Sequence, residues 1–209
     1  MKRMGFYDRY ILPRLIGCAC GAKPIAKQRA KIAPQAEGVV LELGFGSGLN
    51  LPFYDPAKVA RVIAVEPSLG MISQAEKAIA SSPVPVEVRL ESAERLSVPD
   101  ASVDTVVLTY ALCTVSDTTA ALNAARRALR PGGRLLFCEH GLAPDPRLAR
   151  FQRRLEPLWS RLAGGCRLTR DAPSLIEAAG FRLIWTETMY LPGAPRWAGF
   201  NAWGEAVAA

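Results

Sequence analysis

The chain has 209 residues, a length that fits one domain or one domain with a terminal elaboration. Half of its residues are hydrophobic and 22% are charged, so it can bury a core and is not of the disordered class. No apolar run approaches the roughly 18 residues that span a bilayer. The N-terminal segment is a poor signal peptide, because its apolar character is interrupted by Asp8, Arg9, Pro13 and Arg14. We therefore expect a cytoplasmic protein.

Basic residues outnumber acidic ones by 26 to 19, for a formal net charge of +7. The excess is concentrated in one short stretch that contains Arg147, Arg150, Arg153, Arg154, Arg161, Arg167 and Arg170. Such a cluster suits nucleic acid, lipid headgroups or an acidic substrate, and it is equally typical of a solvated helix face. The sequence leaves these alternatives open.

Five cysteines are present, without a CxxC pair. Cys18 and Cys20 form a CxC in a basic segment that offers no companion ligands, whereas a zinc site needs about four. We therefore predict no metal site, and reduced thiols throughout.

Strand and helix patterns alternate from about residue 38, which predicts an α/β protein with a parallel sheet. Ser68 is predicted to cap a helix, Pro131-Gly132-Gly133 to form a turn, and Gly180 to end a helix. The first 35 residues are predicted to be helical. The predicted strands cover 38–43, 61–66, 84–90, 103–109, 134–139 and 181–188, and the predicted helices cover 69–80, 117–129, 146–163 and 171–179.

A glycine-rich turn, Glu42-Leu-Gly44-Phe-Gly46-Ser-Gly48, directly follows the first predicted strand. Glycines let the backbone turn tightly and approach a ligand closely. The dinucleotide-binding pattern is G-x-G-x-x-G, which receives a pyrophosphate. Here the spacing is G-x-G-x-G and an acid precedes it, which would repel a pyrophosphate and suit an ammonium group, such as that of S-adenosylmethionine. A glycine turn without a ligand is the alternative.

Glu66 ends the second predicted strand, about 20 residues beyond the glycines. This place fits a carboxylate that binds both hydroxyls of a ribose, although a surface glutamate would look the same. Ala93 and Glu94 follow the third strand, in the loop where an adenine would lie. Met71 begins the next helix and either packs on the adenine or belongs to the core.

Five strings follow the motif order of class I methyltransferases: ELGFGSG, VEPS, ESAERL, VDTVVLTYALCTVSD and RALRPGGRLLFCEH. The resemblance covers about residues 38–140. It implies a Rossmann-like three-layer sandwich with a seven-stranded, mostly parallel sheet. It also implies S-adenosyl-L-methionine as cofactor and S-adenosyl-L-homocysteine as product. The cofactor-binding residues expected on this basis are Glu42, Gly44, Gly46, Gly48, Glu66, Pro67, Met71, Ala93, Glu94 and Thr109.

We expect a single methyltransferase domain over 1–209. It divides into an N-terminal helical cap at 1–35, the cofactor-binding core at 38–140, and an acceptor-side elaboration with the final strands at 141–209.

Further strings resemble the methyltransferase-like alkyl-thiol S-methyltransferases that associate with membranes in animals. They are Leu112-Cys-Thr-Val, Glu139-His140, Leu155-Glu-Pro-Leu-Trp159 and Gly165-Cys166-Arg-Leu-Thr-Arg170. The resemblance implies a small, lipophilic thiol as methyl acceptor. The acceptor-pocket residues expected are Tyr7, Tyr10, Leu112, Cys113, Trp159 and Cys166.

His140 is the one histidine of the sequence and falls just past the fifth predicted strand. In an open α/β sheet, ligands bind beyond the carboxyl ends of the strands, so His140 is on the side where the methyl group would sit. Its reference pKa near 6.5 suits accepting a proton from a thiol. We therefore assign it the catalytic role, with a purely structural histidine as the alternative.

Two other functions stay open. One is methylation of a lipid headgroup or a quinone-like molecule, with the arginine-rich helix resting weakly on a membrane surface. The other is a non-catalytic protein that binds S-adenosylmethionine or nucleic acid. The chain lacks the Asn/Asp-Pro-Pro-aromatic string of amino methyltransferases after its fourth strand, which makes nucleic acid an unfavoured partner. The sequence does not determine an oligomeric state.

Overall fold

A twisted, seven-stranded sheet forms the centre of the part of the chain that the structure describes. The computed structural model describes Gly17 and residues 20–209. The strand order is β3-β2-β1-β4-β5-β7-β6, and β7 runs antiparallel to both its neighbours while the other pairs are parallel. This confirms the predicted Rossmann-like, mostly parallel sheet. The strands are β1 (Gly38–Leu43), β2 (Val59–Val65), β3 (Val86–Arg89), β4 (Val103–Thr109), β5 (Leu129–His140), β6 (Phe181–Tyr190) and β7 (Phe200–Ala208).

The helices begin where the sequence supplies caps. Ser68 accepts a hydrogen bond from the backbone N–H of Met71, as predicted, and Asp117 and Asp145 cap two later helices in the same way. The described helices are α1 (Lys23–Ile32), α2 (Leu69–Ala80), α3 (Thr118–Ala128), α4 (Pro146–Leu162), α5 (Ala172–Ala178) and the short α6 (Arg196–Gly199), with 3₁₀ turns at Ala33–Gln35 and Leu51–Phe53.

The sheet is covered by helices on both faces, which gives three layers. On one face, buried side chains of α1 and α2 such as Ile32 and Ala75 pack against the sheet. On the other face, the alanine-rich side of α3 and Ile176 of α5 pack against Leu108 and Phe137. Because helices cover both faces of the sheet, side chains on either side of β4 are buried, and the strand is apolar along most of its length.

Several strand boundaries differ from the sequence prediction, among them the end of β6, which lies at Tyr190 in place of residue 188. Strand β2 begins two residues earlier and ends one residue earlier than predicted, and β3 is shorter at both ends. Strand β5 begins at Leu129 rather than residue 134, because Leu129 already pairs with Val103. The predicted Pro-Gly-Gly turn is instead an irregularity inside β5, after which Arg134 pairs with Thr105.

Helix α4 is held across the carboxyl end of the sheet by one buried side chain. The amide nitrogen of Gln152 donates to the carbonyls of Gly141 and Trp197, and its oxygen accepts from the N–H of Ala143. The remaining faces of α4 carry most of the arginine cluster. Among the described residues, no helix combines the length and the hydrophobicity that crossing a bilayer requires.

Candidate functional site

A cavity of about 320 Å³ opens at the carboxyl edge of the sheet. Parallel pairing brings the ends of β1, β2 and β4 to this edge, so the loops that follow them share one wall. Six of the expected cofactor residues line the cavity, namely Gly44, Gly46, Glu66, Pro67, Met71 and Thr109. Further lining residues, which the sequence analysis did not single out for the cofactor, include Cys20, Arg29, Tyr110 and Gly164.

The glycine turn leaves no room for a side chain at its first glycine and little room at its second. Gly44 has φ +69°, and a Cβ there would lie 2.5 Å from the Cβ of Ala111. Gly46 has φ +61°, and a Cβ would meet Met71 at 3.3 Å. Both positions therefore favour glycine for their backbone conformation, and Gly44 also needs it for space. The result is a bare stretch of backbone along the cavity wall.

Glu66 is placed at the cavity wall by the backbone around it. One carboxylate oxygen accepts from the N–H of Gly46 at 3.0 Å, and the other accepts from the N–H of Ser68 at 2.9 Å. Burial raises its pKa, and these two N–H groups oppose the shift. A carboxylate has about four acceptor positions, so each oxygen can still accept a bond from a ligand hydroxyl.

Glu42 lies beneath the glycine turn and is not among the lining residues of the cavity, so its contact with a ligand ammonium group stays a prediction. Its side chain is 2% exposed, accepts hydrogen bonds from Tyr54 and Asn50, and is absent from the cavity wall. Burial raises the pKa of Glu42 to about 7. Its place in the interior makes it a positioning residue for the loop above it.

Arg29 joins this buried network to the cavity. Its guanidinium donates to the side chains of Asn50 at 3.0 Å and Thr109 at 2.5 Å, and it lies over the ring of Tyr110. Among the described residues, its Nε has no hydrogen-bond partner although it is buried. Because Arg29 also lines the cavity, its positive charge suits an anionic group such as a carboxylate.

Four further predicted residues lie away from the cavity wall. Gly48 faces Ala78 of α2, and Ala93 and Leu112 are part of the core. The carboxylate of Glu94 accepts from the N–H groups of residues 116 and 117, so it orders the loop before α3.

Tyr110 has a left-handed backbone conformation, with φ +55°, at the point where β4 ends. Non-glycine residues adopt this conformation only when the surroundings impose it. Here the Tyr110 hydroxyl donates to Asn201 at 2.6 Å, and its backbone N–H donates to the carbonyl of Cys138. The strained residue thereby presents its backbone and ring to the cavity.

The structure brings together four residues expected at the acceptor side or in catalysis. The Sγ of Cys166 lies 3.3 Å from Nε2 of His140 and within 4.8 Å of the Sγ of Cys113, whose thiol donates to the carbonyl of Tyr110. The indole of Trp159 also lies beside Cys166 and packs edge-on against Trp197.

The hydrogen bond from Cys113 lowers the pKa of Cys166, burial opposes this shift, and His140 lowers the pKa further. Burial by itself would lower the pKa of His140, but Cys166 raises it above its ordinary value. The pair therefore favours a thiolate next to an imidazolium. His140 consequently holds its proton more tightly than the sequence analysis expected of a general base.

Glu139 places a buried carboxylate next to this cluster. One oxygen accepts from the N–H groups of Ala111 and Leu112 at 2.7 and 3.1 Å, while the other has no partner among the described residues. Burial raises the pKa of Glu139 to about 7. The carboxylate thus fixes the loop after β4 and adds negative charge beside His140.

Tyr7 and Tyr10 lie outside the described residues, so their predicted contact with the acceptor stays a prediction. The residues that sequence reasoning missed are Arg29, Asn50 and Tyr54, which meet only in the folded chain. The sequence offers one signal for Arg29. Together with Gln28 and Ile32 it lies on the buried side of the helix before β1, and a buried arginine needs polar partners.

Comparison with known proteins identifies the class. The strand order, the glycine turn after β1 and the acid after β2 are those of a methyltransferase domain, and the family model described as methyltransferase domain matches residues 41–137. A Thermotoga maritima structure described as a SAM-dependent methyltransferase, possible histamine N-methyltransferase, has the same fold. It has a TM-score of 0.66 and 21% identity over 97% of this chain and 98% of that one.

Two curated relatives narrow the class. Thiol S-methyltransferase TMT1B of Mus musculus is 35% identical over 80% of this chain and 70% of its own length. Thiol S-methyltransferase TMT1B of Rattus norvegicus is 36% identical over 72% of this chain and 63% of its own length. The chain therefore belongs to the thiol S-methyltransferase family, within the S-adenosylmethionine-dependent methyltransferases. The match spans just under two thirds of the rat relative.

Proposed function

We propose that the protein transfers the methyl group of S-adenosylmethionine to the thiol of a small lipophilic molecule. The observation that carries this proposal is the pairing of a cofactor-sized cavity with the thiol and imidazole cluster of Cys113, His140 and Cys166 at the same edge of the sheet. Membership of a family whose members are named thiol S-methyltransferases supports the same acceptor. The division into a cap, a cofactor-binding core and an acceptor-side elaboration is part of this proposal.

The cavity residues fit the two polar parts of the cofactor. Glu66 has free acceptor positions for the ribose hydroxyls, and Arg29 places a positive charge at the cavity wall for the methionine carboxylate. The bare backbone of Gly44 and Gly46 lets the part of the cofactor between the ribose and the carboxylate approach the protein closely. Met71 supplies an apolar surface at the other end of the cavity. When bound, S-adenosylmethionine supplies a methyl group on a sulfonium, which is open to in-line attack.

The reaction forms a carbon–sulfur bond to the acceptor and breaks the one to the cofactor sulfur. The acceptor thiol gives up its proton, and the products are a methyl thioether and S-adenosylhomocysteine. Because a thiolate attacks far faster than a thiol, the residues of this chain must favour the ionised acceptor. Positioning and thiolate stabilisation are therefore their main contributions.

His140 is the residue that we assign to this task. With its pKa raised by Cys166, His140 supports the acceptor thiolate as an imidazolium hydrogen-bond donor more readily than as a neutral base. The ring of Tyr110 stacks near His140, at 6.4 Å between centroids, and connects it to the cavity wall. Trp159 and Trp197 add aromatic surface on the same side for a lipophilic acceptor.

A membrane surface is the proposed source of such acceptors. Phe151, Leu158 and Leu162 follow one another at intervals of seven and four residues on α4, so they share one exposed face. Arg147, Arg154 and Arg161, at intervals of seven, form a row beside that face. An apolar face with a basic flank suits shallow binding to anionic headgroups. The free thiols among the described cysteines suit a cytoplasmic location with such peripheral contact.

The test is turnover with cofactor that carries a labelled methyl group. Alkyl and aryl thiols are compared with alcohols, amines and a hydroquinone of the same carbon skeletons. We expect label in the thioethers and at least about tenfold less in the other products. Preferred labelling of the hydroquinone would establish the quinone-type alternative instead. Cofactor binding without any turnover would support the non-catalytic alternative.

A further inference from the structure

Three residues of types that bind transition metals, two cysteines and a histidine, converge beside the cavity. Cys113, His140 and Cys166 each offer one ligand atom, and these three atoms all lie within 4.8 Å of one another. They come from the loop after β4, the end of β5 and the loop after α4. Cys113 is buried, and the other two are half-buried.

The cluster is held by backbone bonds rather than by chance proximity of loops. The N–H of Arg167 donates to the carbonyl of Cys113 at 2.9 Å, and the N–H of Leu142 donates to the carbonyl of Arg170 at 3.1 Å. The guanidinium of Arg170 also bonds to the carbonyl of Leu112. These bonds tie the loop after α4 to the loops that carry the other two ligands, so the three side chains are preorganised.

We propose that Cys113, His140 and Cys166 form a binding site for a zinc ion. Zinc prefers thiolate and imidazole ligands at about 2.3 and 2.0–2.1 Å in tetrahedral geometry, which places the ligand atoms about 3.5–3.8 Å apart. The measured 3.3 Å between Cys166 Sγ and His140 Nε2 and the limit of 4.8 Å for the set need only small side-chain adjustments.

The charges around the cluster favour a divalent cation. Cys113 and Cys166 offer two sulfur ligands within 4.8 Å of each other and of the ligand nitrogen of His140. Glu139 adds a carboxylate to the same surroundings, and it interacts electrostatically with both Cys113 and His140. Zinc would displace the thiol protons and balance the resulting negative charge.

Three protein ligands leave one tetrahedral position open, as in catalytic rather than structural zinc sites. That position suits the acceptor thiol, which would bind as a thiolate and release its proton to solvent. The thiolate would then attack the methyl group without any change of oxidation state. With zinc bound, His140 would be a neutral ligand, and the zinc ion would stabilise the acceptor thiolate in place of the imidazolium. This role of the zinc rests on the proposed function, whereas zinc binding itself does not.

The inference reverses the sequence-based prediction of no metal. That prediction considered Cys18 and Cys20, which are close in the sequence, whereas these ligands are 26 or more positions apart. Cys20 lines the cavity and interacts electrostatically with Cys166, but it is not among the three converging ligands.

The experiment uses the full chain, reduced and stripped of metal with a chelator, and titrated with Zn²⁺ and with Co²⁺. We expect one ion per chain and, for cobalt, a thiolate-to-metal charge-transfer band together with visible bands of tetrahedral intensity. Cys113→Ala, Cys166→Ala and His140→Ala should each weaken zinc binding by at least about tenfold. Cys138→Ala is the matched control, because Cys138 is a buried free cysteine outside the cluster. It should bind zinc like the wild type.

Binding of S-adenosylhomocysteine, measured on each variant, establishes that the variants are folded. Less than one ion per two chains, equal zinc affinity in all variants, or a Cys113–Cys166 disulfide in place of metal would overturn the inference. Zinc binding without methylation of any thiol would refute the proposed function and leave the metal site standing. Thiol methylation by metal-free protein at the full rate would refute the role of zinc in the reaction and leave the proposed function standing.

Discussion

The Nε2 atom of His140 lies 3.3 Å from the Sγ of Cys166, although the two residues are 26 positions apart in the sequence. Their contact raises the pKa of His140 and lowers that of Cys166, so the pair carries separated charges next to the cofactor cavity. An imidazolium can donate its second N–H to an acceptor thiolate while the first faces Cys166, which links the geometry to thiol methylation.

Replacing His140 should slow the reaction most for weakly acidic thiols. His140→Asn keeps a polar side chain but carries no positive charge, and we expect a loss of about 10²- to 10⁴-fold in rate at neutral pH. Acceptors of low intrinsic pKa arrive already ionised, so they should lose less. Initial rates across a series of thiols of graded pKa measure this. Equal rates for mutant and wild type along the series would remove His140 from the mechanism.

Arg29 should contribute to cofactor affinity through the methionine carboxylate. A charge-assisted hydrogen bond of about 1.5–3 kcal/mol predicts that Arg29→Gln weakens binding of S-adenosylhomocysteine by roughly 10- to 150-fold. The affinity for methylthioadenosine, which lacks the carboxylate, should change far less. Lys27→Gln, an exposed position on the same helix, is the control of equal charge change. Calorimetry measures both affinities. If Arg29→Gln weakens the binding of both ligands equally, Arg29 supports the structure and does not bind the carboxylate.

The boundaries that local chemistry determines were predictable from the sequence. Ser68 and the apolar run of β4 fix α2 and β4 to the residue. Strand β7 was not assigned in the sequence, because its segment is rich in small residues and gains its strand character from pairing with β5 and β6. The same limit applies to the site. The glycines and Glu66 follow a local pattern, whereas Arg29 and the thiol cluster depend on contacts between distant segments.

Glu42 should make the stability of the fold depend on pH. Its carboxyl ionises near 4.5 in the unfolded chain and near 7 in the folded one, so its contribution is complete below pH 4.5 and is lost as the pH rises through 7. Relative to Glu42→Gln, the wild type should lose about 3 kcal/mol between pH 4.5 and 8.

Urea unfolding at a series of pH values measures this difference. Glu76→Gln, at an exposed position of α2, is the control for the loss of one carboxylate. A difference for Glu42→Gln that is constant across the range would contradict the burial argument.

The arginine row of α4 should serve membrane contact and not chemistry. Changing Arg147, Arg154 and Arg161 together to Gln should weaken binding to anionic vesicles, at about 1 kcal/mol per basic residue near the surface. Turnover of a small water-soluble thiol should stay within a few-fold. The matched control removes three exposed charges elsewhere, at Lys58, Arg95 and Arg182. Vesicle co-sedimentation that responds equally to both triple variants would indicate a general charge effect without a docking face.

The most direct measurement for the central claim is methyl transfer to one matched pair of acceptors. An aryl thiol and the phenol of the same skeleton are each incubated with enzyme and cofactor that carries a labelled methyl group, and the products are identified by mass spectrometry. The account predicts a labelled thioether formed in equal amount to S-adenosylhomocysteine, with at least about tenfold less labelled ether from the phenol. A labelled ether in equal or greater amount, with the cofactor bound normally, would contradict it.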